Sequence, residues 1–102
     1  MILKIDSTNR EKITVSLDDT KIIEEQKLGS QVLLPLIVKI LKKQKATFAD
    51  ISEIKVNIGP GSFTGTRVGV AVANALGFAL NIPVNGKKGK IALPKYEKSK
   101  FD

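Results

Sequence analysis

The stretch GPGSFTGTRVG, Gly59 to Gly69, holds the densest group of residues able to handle an anion. Glycines at 59, 61 and 65 let the backbone turn tightly, and Ser62 and Thr64 stand where a helix would begin. Backbone N–H groups at such a turn can point at a phosphate or carboxylate. The same hydroxyls can instead cap the helix they precede, by accepting its first orphan N–H groups. Asp6, closing a short apolar run, is a candidate to join the site with Ser7 beside it. An Asp at a strand end can bind a cation or can satisfy the N–H groups of its own turn.

Spacing excludes the specific phosphate motifs. A Walker A loop needs G-x-x-x-x-G-K-[ST], but the residue five after Gly59 is Thr64 and no Lys follows it. A dinucleotide fingerprint needs G-x-G-x-x-G; the glycines at 59, 61 and 65 miss it by one, and Asn85 stands where a ribose-binding acid belongs. A nucleophile elbow at Ser62 has no base to activate it, because the chain contains no His. Without His or Cys, thiolate metal sites, disulfides and Ser-His chemistry drop out. No metal and no cofactor is expected.

The elements that must position these residues follow from the hydrophobic pattern. Ile2 to Asp6 reads as a buried strand and KITVSL, Lys12 to Leu17, as a half-buried one. Asp18-Asp19 signals a turn into a third strand, Lys21 to Glu25. Ser30 is placed to cap a helix running to about Lys45, with Pro35 tolerated only near its start. A fourth strand spans Ile54 to Ile58, a second helix Thr64 to Leu80, and a short fifth strand Ile82 to Val84. The order βββαβαβ predicts a mixed sheet with helices packed on it and right-handed crossovers.

The second helix is apolar nearly all round. Every fourth residue from Gly65 gives Gly69, Ala73 and Gly77, a ridge of very small side chains. Beside it run the rows Val68, Val72, Leu76, Leu80 and Ala71, Ala75, Ala79, and only Arg67 and Asn74 break the pattern. Such a helix must be covered on every side. Glycine inside a helix costs about 1 kcal/mol against Ala, so close approach of another backbone is the natural reason for it. The reading favoured by sequence puts the Val/Leu row on the sheet and the small ridge against a partner molecule. The alternative is that the first helix covers the ridge.

With 102 residues, 42% hydrophobic and 26% charged, the chain suits one folded domain. The expected division is a lobe over residues 1–86 and a basic, poorly ordered tail over 87–102. The net charge is +7, and six lysines less two carboxylates put +4 of it on that tail. Such a tail suits weak contact with tRNA phosphates. No leader sequence and no membrane span is expected, so the expected location is the cytoplasm.

The run NIGPGSFTGTRVGVAVANALGFALNIPV closely resembles the signature of the TsaB (YeaZ) family, GIGPGSFTGLRVG followed by an Ala-rich helix and a GIPV-like strand. ILKIDSTN resembles that family's ILAIDTST strand and turn, and VLLPLIVKIL its LLPLI helix. Together these cover residues 1–86 in the same order. The resemblance implies an α/β fold, a single RNase H-like lobe of the actin-like ATPase (ASKHA) class. It implies a non-catalytic scaffold for forming threonylcarbamoyladenosine in tRNA. Its partner would be a TsaD-like catalytic subunit, joined by a TsaE-like ATPase, with a homodimer when alone.

Carried over by position, Asp6, Ser7, Gly59, Gly61, Ser62 and Thr64 form a candidate anion or nucleotide loop. Leu34, Ile37, Val38 and Leu41 of the first helix, with Gly65, Arg67, Gly69, Val70, Ala73 and Gly77 of the second, form the candidate interface. Family members normally carry a second lobe of similar size, which the sequence given does not include. Nucleotide binding in a two-lobed cleft is therefore not expected of one such protomer. Two other readings stand beside the scaffold: a small RNA-binding module working through the tail, and a degenerate nucleotide-binding protein.

Overall fold

The computed structural model describes residues 1–25, 30–89 and 91–94. Strands β1 (Ile2–Asp6), β2 (Lys12–Leu17) and β3 (Thr20–Glu25) are followed by helix α1 (Ser30–Lys43). A 3-10 turn at Phe48–Asp50, strand β4 (Glu53–Val56) and helix α2 (Phe63–Leu80) complete the order. The sheet runs β3-β2-β1-β4, antiparallel except for the parallel β1–β4 pair. Alternation decides its faces. Leu3, Ile5, Ile13, Val15, Leu17, Ile22, Ile54 and Val56 all point into one core. Lys4, Lys21 and Lys55 lie exposed on the other face.

Both helices cover the apolar face. α1 contributes Leu33, Leu36, Ile37, Ile40 and Leu41, the i, i+3, i+4, i+7, i+8 stripe of an amphipathic helix. Lys42 and Lys43 occupy its last turn, where the helix end is negative. Pro35 lies inside α1 at an exposed position. α2 is capped at one end by Ser62 and stopped at the other by Asn81, left-handed at φ 55°, whose N–H reaches the Gly77 and Phe78 carbonyls.

The expected strand over Ile82–Val84 is reduced to a single parallel bridge, Ile54 to Val84. Pro83 has no N–H to give the ladder. The Asn85 side chain takes over instead: its Oδ1 accepts from Val56 N at 2.8 Å and its Nδ2 donates to Val56 O at 3.1 Å. A side-chain amide thus stands in for the next peptide unit of a strand. Much of the expected tail, residue 90 and residues 95–102, lies outside the described residues. No helix among the described residues is long and apolar enough to cross a membrane.

Candidate functional site

Two loops meet at the C-terminal ends of the adjacent strands β1 and β4. After β1, Asp6 Oδ1 accepts from Thr8 N at 3.0 Å and from Thr8 Oγ1 at 2.7 Å, while Oδ2 accepts from Asn57 Nδ2 at 3.1 Å. Partial burial pushes the Asp6 carboxyl pKa up, but the bonds from Thr8 and Asn57 outweigh it and hold it below the ordinary aspartate range. Asn9 Oδ1 then accepts from the N–H groups of Glu11, at 2.7 Å, and Lys12, at 3.2 Å, turning the chain into β2. Asp6 therefore organises its own turn and ties it to the loop after β4.

The glycine loop is fastened to that turn. Gly59, two residues after Asn57, has φ 105° and a cis bond to Pro60. Ser62 N donates to Thr8 O at 2.8 Å. Gly61 packs so closely on Thr8 that a Cβ there would strike the Thr8 side chain and carbonyl. Several amides that might grip an anion are already engaged. Thr8 N is held by Asp6, Gly59 N by Asn57 Oδ1 at 3.0 Å, Gly65 N by Ser62 Oγ at 3.3 Å and Thr66 N by Ser62 O at 2.9 Å. The loop works as a helix start locked to its neighbour. Of the candidate anion-loop residues, Asp6, Gly59, Gly61 and Ser62 come together. Thr64 faces solvent and Ser7 is fully buried.

Ser7 explains the small ridge. Its Oγ donates to the Gly65 carbonyl at 2.6 Å in a buried bond. A Cβ on Gly69 would overlap that oxygen, and one on Gly77 would overlap Val84. Gly65, Gly69, Ala73 and Gly77 are all buried. The ridge lies over β1 and Val84, where only glycine lets the helix backbone descend. This corrects the expectation that the sheet takes the Val/Leu row and a partner the small ridge. Ile37, Leu41, Val70 and Ala73, placed at an interface by sequence, are core residues with no side chain to offer outward. Leu34, Val38 and Arg67 remain on the surface.

The outward side of α2 has a different composition. Val68, Val72 and Leu76 are half-buried, and Ala71, Ala75, Phe78 and Ala79 are exposed, Phe78 by 91%. Thr64, Arg67, Val68, Ala71 and Val72 line a shallow depression of about 310 Å³. Alongside, α1 exposes Leu34 by 46% and Val38 by 37%.

Sequence reasoning missed a clasp on the C-terminal half of α2: Asn74 Nδ2 donates to Ala92 O and Ala92 N donates to Asn74 Oδ1, both at 2.9 Å. An amide alone in an apolar helix was the signal available for it. Among the described residues no group of three or more His, Cys, Asp or Glu side chains is placed to hold a metal ion.

A mixed sheet with two helices on one face, joined through paired loops at the strand ends, is the RNase H-like lobe of the actin-like class. YeaZ from Pseudomonas aeruginosa matches it with a TM-score of 0.69 at 26% identity, over 81% of this chain and 41% of that one. The family described as TsaD, tRNA N6-adenosine threonylcarbamoyltransferase, matches residues 24–87. Proteins named tRNA threonylcarbamoyladenosine biosynthesis protein TsaB are similar too. That of Bacillus subtilis is 36% identical over 89 residues, 82% of this chain and 39% of its own length. That of Buchnera aphidicola from Schizaphis graminum is 39% identical over 54 residues, 53% of this chain and 26% of its own. The chain belongs to this family, in its TsaB (YeaZ) group. It spans well under half the length of these relatives.

Proposed function

We propose that the chain is a non-catalytic subunit in forming threonylcarbamoyladenosine on tRNA in the cytoplasm. It docks on a TsaD-like catalytic subunit through the outward faces of α1 and α2. The observation that carries this reading is the exposed apolar side of α2, Ala71, Ala75, Phe78 and Ala79 flanked by half-buried Val68 and Val72; exposed Leu34 and Val38 of α1 are further apolar side chains without cover. Apolar side chains gathered on the surface of a small domain mark a place that another protein covers. The absence of His from the sequence, together with loop amides largely engaged internally, argues for a scaffold over a catalyst. The names carried by similar proteins supply the pathway.

The interface residues on this reading are Leu34, Val38, Arg67, Val68, Ala71, Val72 and Phe78. The same face serves a second copy when the catalytic subunit is absent, and a TsaE-like ATPase joins the assembled pair. Lysines from Lys87 onward add a salt-sensitive contact to tRNA phosphates.

Light scattering after size exclusion tests the pairing, with the chain alone and mixed with the TsaD-like protein of the same organism. A stable heterodimer is expected. Ala71→Asp, at an exposed position, should leave the circular dichroism spectrum unchanged and weaken the complex at least about tenfold, by burying an unpaired charge. A chain that ignores the partner, or a complex untouched by Ala71→Asp, would overturn the reading.

A further inference from the structure

Asn85–Gly86 is the one Asn–Gly step in the sequence. It forms the two-residue turn between Val84 and Lys87, which pair antiparallel and exchange both backbone hydrogen bonds, at 3.1 and 3.3 Å. A turn of this kind takes φ above zero at both central residues, and here φ is 51° at Asn85 and 81° at Gly86. Asn–Gly meets that demand. It also sets a primary amide beside a backbone nitrogen that no side chain shields. The other asparagines precede Arg10, Ile58, Ala75 and Ile82, whose side chains crowd the corresponding nitrogen.

The surroundings of the Gly86 nitrogen are open. Gly86 is exposed, a Cβ built on it would meet no atom within 4 Å, and its N–H donates to no described residue. The carboxamide beside it is held at both ends, with Oδ1 accepting from Val56 N at 2.8 Å and Nδ2 donating to Val56 O at 3.1 Å. Asn85 N donates to Ile54 O at 2.8 Å and fixes the main chain as well. A carboxamide paired in this way to another strand cannot swing onto the next backbone nitrogen. The nucleophile is free and the electrophile is tied down.

We propose that Asn85 is a site of spontaneous covalent modification, converted to aspartate and isoaspartate whenever its clasp on Val56 opens. The Gly86 nitrogen attacks Asn85 Cγ and the Cγ–Nδ2 bond breaks. Nδ2 leaves as ammonia, taking the Gly86 amide proton with it. The succinimide ring so formed takes up one water; opening at one carbonyl gives aspartate, at the other isoaspartate. Water is the only other reactant. The product cannot rebuild the clasp. One aspartate oxygen can still accept from Val56 N, but the other has no proton to give Val56 O, and two acceptors are left facing each other. Isoaspartate also adds a methylene to the main chain inside a two-residue turn, which breaks the pairing of Val84 with Lys87. The damage falls one residue before Asn57, whose side chain bonds Asp6 and the Gly59 N–H. A modified copy thus loses its cover at the end of β4, beside the fastened loops. The inference is independent of any partner at the helix face.

Peptide mass spectrometry follows Asn85 while the full chain is incubated at neutral pH, folded and in urea. In urea Asn85 should deamidate ahead of the other asparagines and give a mixture of aspartate and isoaspartate. In the folded chain the reaction should be slower by about the factor that protects the Val56 amide from hydrogen exchange, because one opening limits both. Asn74→Ala frees the second hold on this segment, at Ala92, and should speed both together. Asn85→Asp makes the product directly. Its Val56 amide should exchange at least about tenfold faster than in the wild type, while β2 keeps its protection. The proposal is overturned if folded and unfolded chains deamidate at the same rate, or if Asn85 stays intact in a folded chain whose Val56 amide exchanges freely. It is also overturned if Asn85→Asp protects Val56 as the wild type does, or loses protection equally across β2.

Discussion

Replacing Gly69 by Ala sets two opposed effects against each other. Helix preference alone favours Ala by about 1 kcal/mol, and at an open position the change would stabilise. Here the new methyl would overlap Ser7 Oγ, with Ile5 Cγ2 at 3.5 Å behind it. Ser7 is fully buried and already donates to the Gly65 carbonyl at 2.6 Å, so it has no exposed rotamer to adopt. Breaking that bond costs about 1–3 kcal/mol, and lifting the helix off the sheet costs about 1–3 kcal/mol of packing. The net expectation is a destabilisation of about 1–5 kcal/mol, each kcal/mol lowering Tm by about 4–8 °C for a domain of this size. Urea unfolding of the wild type, Gly69→Ala, Ser7→Ala and the double variant measures it. Removing the hydroxyl makes room, leaving Ser7 Cβ at a tight but adjustable 3.3 Å. The double variant should therefore be more stable than the sum of the singles predicts, by about 1–3 kcal/mol. A Gly69→Ala protein stabilised by about 1 kcal/mol, or strict additivity, would refute the idea that Ser7 dictates the glycine.

Thr66 is fully buried, and its Oγ1 has no hydrogen-bond partner among the described residues, so Thr66→Val should raise stability by about 1 kcal/mol, read from Tm. Asn85→Ala leaves Val56 N and O without their side-chain partners and should cost about 1–3 kcal/mol, with faster hydrogen exchange at the Val56 amide. The Asp6 carboxyl has a folded pKa below its unfolded value, so its contribution is complete above the unfolded pKa and is lost as pH falls through the folded one. Asp6→Asn should flatten the acid limb of the stability profile and leave the slope near neutral pH unchanged. Asn74→Ala should speed exchange at the Ala92 amide while the sheet amides keep their protection.

The fold was legible where one face of an element is dry. KITVSL alternates cleanly, and β2 occupies those six residues. α1 carries a full stripe and Lys in its last turn, and it runs from Ser30, itself the first helical residue, to Lys43. α2 resisted the same reasoning because its periodicity carries almost no directional information: apolar residues surround the axis, so hydropathy cannot say which row meets the sheet. Volume decides that question, and the volume is set by Ser7 and Val84, distant in sequence. The amide clasps were illegible for a related reason. Asn85 on Val56 and Asn74 on Ala92 bond to backbone, and backbone carries no side-chain signature to search for. Asp6 closes β1, and its role in the following turn follows from Thr8 standing two residues on.

The two sides of α2 therefore answer different demands. A helix apolar all round exposes more hydrocarbon than one small sheet can hide. Its small residues go inward because Ser7 and Val84 leave room for nothing larger, and this close approach fixes the distance between helix and sheet. Its larger residues are then forced outward or sideways, whatever their hydropathy. Val68, Val72 and Leu76 end half-buried, and Phe78 stands 91% exposed, an arrangement unfavourable for an isolated domain. Substituting the outer residues with polar ones would lower that exposure without touching the Ser7 contact. The valines of that side still pack against the core with one flank, but exposed Ala71, Ala75, Phe78 and Ala79 are not explained by the lobe's own packing, and the partner proposed above would account for them.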